Sequence, residues 1–252
     1  RTAQTGVQMA AMTLLETRAL TKTFDGIKAN TNVDFKLETG QIMALIGPNG
    51  AGKSTFVGML CGRIPATSGQ VFFNGKDISA LPAHKRIALG MAYTFQITSV
   101  FGNLSVRENV ALAVRRAGHL PEKQVQAKVD AVLERINLAE RSEQIAGDLS
   151  YGHQRVLEIA MGLAQDPQLF ILDEPTQGLA EAEISEFVAL IKSLAGKTTI
   201  LLIEHNMDVV MRSAEQITVL DAGGIIASGT PDEIRENAAV KSAYLGTNNA
   251  EG

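Results

Sequence analysis

The sequence predicts an α/β protein: a mixed β-core that carries a parallel sheet, with a mostly helical subdomain inserted near the middle. Three observations lead there. Strand-like and helix-like segments alternate from Leu169 onward, which favours parallel strands joined by helical crossovers. A glycine-rich loop at 47–52 sits between an apolar run and a helix start. Between roughly 97 and 165 the apolar spacing becomes helical, as in Val125, Val129, Val132, Leu133 and Ile136.

In chain order, residues 14–46 read as strands. Phe35 and Leu37 alternate with polar neighbours, and Ile42-Met43-Ala44-Leu45-Ile46 is a short apolar run suited to a buried strand. A helix is predicted from Lys53. Val71-Phe72-Phe73 ahead of Asn74-Gly75 marks a strand entering a hairpin turn. Ser105-Val106-Arg107-Glu108 is a capping box that opens a helix. The later segments predict a strand at 169–172, a helix at 181–195, a strand at 198–203 and a helix near 206–213. Strands near 216–220 and 225–228 follow, and Thr230-Pro231-Asp232-Glu233 caps a further helix. Residues 1–12 are read as an N-terminal extension, and 13–252 as one domain with the helical insertion at about 97–165.

Composition narrows the function classes. The 252 residues suffice for a sizeable core. A net charge of −4, from 23 basic and 27 acidic residues, offers no overall basic excess for nucleic acid. The single cysteine, Cys61, excludes an intrachain disulfide and fits a reducing compartment. No apolar run reaches the ~18 residues of a membrane span, and the first residues lack the apolar core of a signal peptide.

The chemistry is concentrated in two segments. Gly47-Pro48-Asn49-Gly50-Ala51-Gly52-Lys53-Ser54-Thr55 satisfies G-x-x-x-x-G-K-[ST] in full. Glycines let successive amides turn inward into an anion-binding concavity, and the helix dipole adds positive potential at its mouth. Lys53 suits the β- and γ-phosphates of ATP, and the Ser54 hydroxyl suits Mg2+. A chance glycine turn would not need all four fixed positions in a strand–helix context. In Leu169-Phe170-Ile171-Leu172-Asp173-Glu174, a buried strand ends in two carboxylates. Ligands of open parallel sheets bind at that edge. Asp173 suits the Mg2+ shell and Glu174 a general base that polarises water.

Other segments are weaker by themselves. His205 follows the strand Ile200–Ile203, where a lone histidine is more often structural. His84, His119 and His153 read as polar surface residues. Leu149-Ser150-Tyr151-Gly152-His153-Gln154 is a helix start with Ser150 as N-cap.

Taken in order, these residues resemble the ATP-binding-cassette (ABC) ATPases over nearly all of 13–246. The resemblance implies a two-lobed phosphate-loop ATPase fold. It casts Phe24 as the aromatic that stacks on adenine. Gln96, ending Tyr93-Thr94-Phe95-Gln96, becomes the glutamine that joins the Mg2+ site to the membrane partner. Ser150, Tyr151, Gly152 and His153 become the signature that acts on the opposite cassette's ATP, and His205 the switch histidine. The partners implied are a second ABC ATPase subunit, identical or paralogous, in a head-to-tail dimer and two integral-membrane permease subunits. Indirectly a periplasmic solute-binding protein is implied too, and the place is the cytoplasmic face of a bacterial or archaeal plasma membrane.

Two departures stand out. The usual signature is Leu-Ser-Gly-Gly-Gln, and its third and fifth positions here are Tyr151 and His153. Ala180 stands where an aspartate is common, which removes any cross-dimer contact by that carboxylate. Leu149-Ser150-Tyr151-Gly152 running into Leu157-Glu158-Ile159-Ala160 resembles the branched-chain amino acid importers, in the larger of their two ATPase subunits. Ile203-Glu204-His205-Asn206-Met207 and Ala243-Tyr244-Leu245-Gly246 resemble the same group. Urea and amide importers and the lipopolysaccharide-export ATPase share much of this. Two readings of other classes remain at this point. A soluble ABC ATPase acting on ribosomes or DNA usually carries two cassettes or a long coiled coil, neither of which the sequence shows. A binding module without turnover is disfavoured by Lys53, Asp173, Glu174 and His205 together.

Overall fold

The computed structural model describes residues 12–94, 99–118 and 120–247. The first half runs β1 (Thr13–Phe24), β2 (Ile27–Glu38), β3 (Ile42–Ile46), α1 (Lys53–Leu60), β4 (Ser68–Phe73), β5 (Lys76–Asp77), α2 (Ala83–Ala88) and β6 (Met91–Tyr93). Three helices follow without an intervening strand: α3 (Val106–Ala117), α4 (Glu122–Arg135) and α5 (Tyr151–Leu163). The chain then alternates through β7 (Leu169–Asp173), α6 (Glu181–Leu194), β8 (Thr199–Ile203), α7 (Met207–Ser213), β9 (Gln216–Asp221) and β10 (Gly224–Gly229). It ends in α8 (Pro231–Glu236) and α9 (Ala238–Thr247).

The strands make two sheets, one in the order β2-β1-β4-β5 and one in the order β10-β9-β3-β8-β7-β6. The first is antiparallel. In the second, β9, β3, β8, β7 and β6 run parallel and β10 closes the edge antiparallel. Every residue of β3, β7 and β8 is buried, so these strands read as apolar runs rather than as alternation. Their side chains still alternate between two cores. Leu169, Ile171, Leu201 and Ile203 face Phe35, Phe56 and the antiparallel sheet, while Phe170, Leu172, Ile200 and Leu202 face the helices α3 to α6. Gly162 of α5 admits Phe170 closely: a Cβ there would lie 2.3 Å from the ring's Cζ.

The sequence-predicted caps form. Ser105 and Glu108 make a reciprocal capping box on α3, and Thr230 and Glu233 make one on α8 with Pro231 in the first turn. Asn74 and Gly75 both sit at positive φ in the β4–β5 turn, as a two-residue hairpin needs. Three elements carry no legible pattern. α2 spans only six residues, β6 three, and α9 follows α8 after a single residue. Within 97–165 the described residues also hold an antiparallel bridge between Ser105 and Ile145. Asn109, fully buried on α3, donates its amide to the carbonyls of Phe101 and Ser105 and accepts from the Phe101 N–H, which fixes the loop before the helix.

Candidate nucleotide site

The phosphate loop leaves the C-terminal end of β3, the middle of the parallel sheet, and enters α1 through Gly52. Glycine is required there on two counts. Gly52 has φ +96, and a Cβ would lie 2.4 Å from the Ala29 carbonyl oxygen. Gly47 is equally constrained, since its Cβ would meet the Leu220 carbonyl oxygen at 2.1 Å. The loop is thus pressed onto β2 and the end of β9. Gly223 adds a tie by donating its N–H to the Ala51 carbonyl at 3.1 Å. At the far end of α1, the buried Arg86 donates Nη1 to the Met59 and Leu60 carbonyls, both at 2.8 Å. A cation on a helix C-terminus satisfies the orphan carbonyls and the dipole.

Lys53 folds back over the loop and donates Nζ to the Gly47 carbonyl at 2.6 Å and the Pro48 carbonyl at 3.0 Å. Burial pulls its amine below the ordinary lysine range, against the attraction of Glu174 and Asp173. Asp173 ends β7 and Glu174 follows it, two strands from β3 with β8 between. Burial pushes Asp173 above the ordinary carboxylate range, although the Tyr93 hydroxyl donates to its Oδ2 at 2.5 Å. Glu174 has φ +46, an uncommon backbone conformation outside glycine. Its N–H donates to the Ile203 carbonyl, and its own carbonyl accepts from Arg155 Nη2 at 3.3 Å. His205 Nδ1 stands 3.8 Å from Glu174 Oε1.

Two further residues fix this region. Glu204, fully buried, accepts from the Thr176 N–H and hydroxyl on Oε1 and from the His205 and Asn206 N–H groups on Oε2. It therefore pins the segment after Glu174 to the segment that carries His205. Arg155, buried in α5, pairs with Glu158 at 2.6 Å and reaches the Glu174 carbonyl. Sequence reasoning overlooked both, along with Tyr93 and Arg86. A charged residue ending the apolar strand Ile200–Ile203 was the visible signal for Glu204, and the i, i+3 spacing of Arg155 and Glu158 on a helix was the signal for that pair.

The remaining expected residues lie as follows. Phe24 sits at the tip of the β1–β2 hairpin, half-exposed, with Lys22 Nζ 4.7 Å from its ring centroid. Ser54 and Thr55 occupy the first turn of α1. Ser150 caps α5, accepts from the His153 N–H, and shares its hydroxyl with His153 Nδ1 at 2.7 Å. Tyr151 packs on the loop after β7, where a Cβ on Gly178 would come within 3.2 Å of its ring. Gly152 lies so close to Glu183 of α6 that a Cβ would sit 2.2 Å from Oε1. Gln96 and Ile97 lie outside the described residues. Among the described residues no cluster of three His, Cys, Asp or Glu side chains could hold a metal ion. The Ser54 hydroxyl and the Asp173 carboxylate are hard oxygen donors of the kind Mg2+ takes when nucleotide phosphates complete its shell.

The ABC transporter profile matches residues 30–177, more than half of the chain, from β2 through the phosphate loop to the segment after Glu174. The chain belongs to the ABC transporter family. It is an ABC ATPase. A second profile, that of the branched-chain amino acid ATP-binding cassette transporters, matches residues 225–249. The chain is 37% identical over 249 residues to the high-affinity branched-chain amino acid transport ATP-binding protein BraF of Pseudomonas aeruginosa, covering 92% of this chain and 98% of the relative. It is 34% identical over 255 residues to the probable branched-chain amino acid transport ATP-binding protein LivG of Archaeoglobus fulgidus, covering 95% and 98%. The lipopolysaccharide export ATP-binding protein LptB of Haemophilus influenzae is 33% identical over 236 residues, covering 93% and 98%. Among solved structures, the ADP conformation of MJ1267, an ATP-binding cassette of an ABC transporter, superposes with a TM-score of 0.83 at 28% identity, covering 93% of this chain and 99% of that one. No helix among the described residues is long and apolar enough to cross a membrane.

Proposed function

We propose that this ABC ATPase powers import of branched-chain amino acids through membrane permease subunits, docked peripherally on their cytoplasmic face and fed by a periplasmic binding protein. The observation that carries the substrate class is the C-terminal match at 225–249, a segment outside the phosphate loop. Full-length similarity to BraF and LivG supports it.

In this reading the phosphates of ATP lie on the amides of 50–55, and Lys53 exchanges its two loop carbonyls for phosphate oxygens. Phe24, half-exposed, takes the base. Ser54, Gln96 and Asp173 hold Mg2+, which supplies charge neutralisation at the β- and γ-phosphates. Glu174 accepts the proton of the attacking water, and His205, beside it, orients the γ-phosphate. One cassette leaves the far side of the γ-phosphate open. The Ser150 end of α5 is a second anion site, so two chains facing head to tail would each complete the other's. The domain reading follows: 13–252 form the cassette, its helical lobe spans about 97–165, and residues 1–12 are an N-terminal extension, of which 1–11 lie outside the described residues. Phe101, exposed beside Leu112 and Met161, offers the apolar surface for a permease helix, whereas Val100 packs partly into the helical core.

The test is reconstitution with the membrane subunits that co-purify with the chain. Leucine-loaded binding protein should stimulate hydrolysis and drive leucine into proteoliposomes. Accumulation of urea instead, or co-purification with lipopolysaccharide-export permeases, would replace the branched-chain reading.

A further inference from the structure

The carboxylate of Asp173 is held from behind. Tyr93 ends β6, and β6 pairs in parallel with β7 so that Tyr93 lies opposite Ile171, two residues before Asp173. That register brings the Tyr93 hydroxyl to 2.5 Å from Asp173 Oδ2. The tyrosine is itself clamped. Arg63 Nη2 donates to its hydroxyl oxygen at 3.0 Å, and the Arg63 guanidinium lies 4.3 Å from the ring centroid. Arg63 follows α1 by three residues, so the helix that begins at the phosphate loop ends beside this clamp. A hydroxyl that accepts from a guanidinium is a better donor to a carboxylate, because each bond polarises the next. Tyr93 and Arg63 also line one cavity with Cys61, Arg86 and Arg116, so the clamp has its back to an opening rather than to packed core.

We propose that Tyr93 is a positioning residue for the Mg2+ site, with Arg63 as its support: the tyrosine hydroxyl fixes the orientation of the Asp173 carboxylate before metal and nucleotide arrive. The inference rests on the reading that Asp173 belongs to the Mg2+ shell. A short strand carboxylate has one free torsion that matters here, rotation about its terminal bond, and that torsion is broad in the absence of a partner. One strong donor on Oδ2 removes that freedom and leaves the other oxygen presented to the site. Tyr93 and the next residue, Thr94, both touch this strand end, since Thr94 Oγ1 accepts from the Asp173 N–H at 3.4 Å.

The experiment compares wild type with Tyr93→Phe, Arg63→Met and Asp173→Asn, using Mn2+ as the probe. Electron paramagnetic resonance reads Mn2+ affinity in the presence of a non-hydrolysable ATP analogue, and fluorescence reads analogue affinity without metal. Tyr93→Phe removes one oxygen and keeps the ring, and a thermal melt checks the fold. It should weaken Mn2+ affinity about tenfold, as loss of a hydrogen bond to a charged group does, while metal-free analogue binding stays within twofold. Arg63→Met should act in the same direction by a smaller factor. Asp173→Asn should lose Mn2+ binding more severely than either. Unchanged or tighter Mn2+ binding in Tyr93→Phe, with Asp173→Asn impaired, overturns the positioning role alone. Unimpaired Mn2+ binding in Asp173→Asn overturns the reading on which it rests.

Discussion

Thr176 places its hydroxyl oxygen 2.5 Å from the Glu204 carboxylate, at a position closed to solvent. Four donors converge on this one side chain, two from the segment after Glu174 and two from the segment at His205. A carboxylate accepts on both oxygens, whereas an amide presents an NH2 group on one side. Glu204→Gln therefore turns an NH2 donor toward donors and leaves buried N–H groups without partners. The expected cost is about 2–3 kcal/mol, which for a chain of this size lowers Tm by roughly 4–10 °C. Hydrolysis should fall more than ATP binding, because the hydrogen bonds of the Glu204 carboxylate go to the two segments that carry Glu174 and His205. A calorimetric scan with parallel ATPase and nucleotide-binding assays reads both. Equal loss of binding and hydrolysis would place Glu204 in general stability only.

Gly52→Ala tests the phosphate loop. The new methyl would lie 2.4 Å from the Ala29 carbonyl, on a residue held at φ +96. Backbone strain of this kind is of order 1–3 kcal/mol before the clash is counted. The loop has to move off β2, so ATP affinity should drop at least tenfold together with Tm. Gly50→Ala is the control: nothing lies within 4 Å of its Cβ, and only its φ of +81 opposes the change. Equal effects from the two substitutions would mean that contact with β2 does not shape the loop.

Cys61 sits at the end of α1, buried, and burial pushes its thiol up to about 12. A raised thiol pKa means that the neutral form persists until the pH approaches that value. At pH 8 the thiolate is about 10⁴-fold scarcer than the thiol, and the thiolate is the nucleophile. The folded chain should resist a disulfide-exchange reagent at pH 8, and denaturant should release one equivalent of reactive thiol. Rapid stoichiometric labelling of the folded protein would show that the α1 end opens in solution.

Much of this architecture was legible because it depends on local rules. The buried runs Ile42–Ile46 and Leu169–Leu172, the Ser105 and Thr230 caps, and the Asn74-Gly75 turn each declare themselves within a few residues. What stayed hidden depends on which chains of residues meet in space. Tyr93 reaches Asp173 only because a three-residue strand pairs with β7, and three residues carry no period. Arg86 lies on the six-residue α2, which shows no period in the sequence, and its guanidinium is spent on carbonyls at the end of another helix. The two departures in the signature also acquire local reasons. Tyr151 covers Gly178, and His153 takes the Ser150 hydroxyl.

Glu174→Gln separates binding from turnover. The carboxylate is the group beside His205, and the amide that replaces it has nearly the same shape and no basicity. A general base contributes on the order of 10²–10⁴-fold to rate. Steady-state hydrolysis should fall by at least a hundredfold while ATP affinity stays within threefold of wild type. Stopped hydrolysis in His205→Ala should accompany it, with the same retention of binding. A Gln variant that turns over at the wild-type rate would remove Glu174 from the role of base and move attention to a water held elsewhere.

The arrangement at the start of α5 leads to the last expectation. Ser150 Oγ caps its helix through the His153 N–H and lies 2.7 Å from His153 Nδ1, so the hydroxyl has a partner within its own chain. A γ-phosphate from a second cassette offers only acceptors, and in the tautomer whose Nδ1 accepts from the Ser150 hydroxyl it must draw that proton away from the imidazole. His153→Ala removes that competitor and keeps the cap, because the backbone N–H remains. In the Glu174→Gln background it should therefore lower the ATP concentration needed for dimerisation, by up to about tenfold for one hydrogen bond. Ser150→Arg fills the same place with a long cation and removes the cap. It should leave ATP bound to the monomer and prevent dimerisation. Light scattering across an ATP titration distinguishes these outcomes. A chain that stays monomeric at saturating ATP in the parent background would mean that two identical copies do not complete the site, and a paralogous ATPase subunit would then be the partner to add. A Ser150→Arg variant that dimerises as well as the parent would take the α5 terminus out of the shared site altogether.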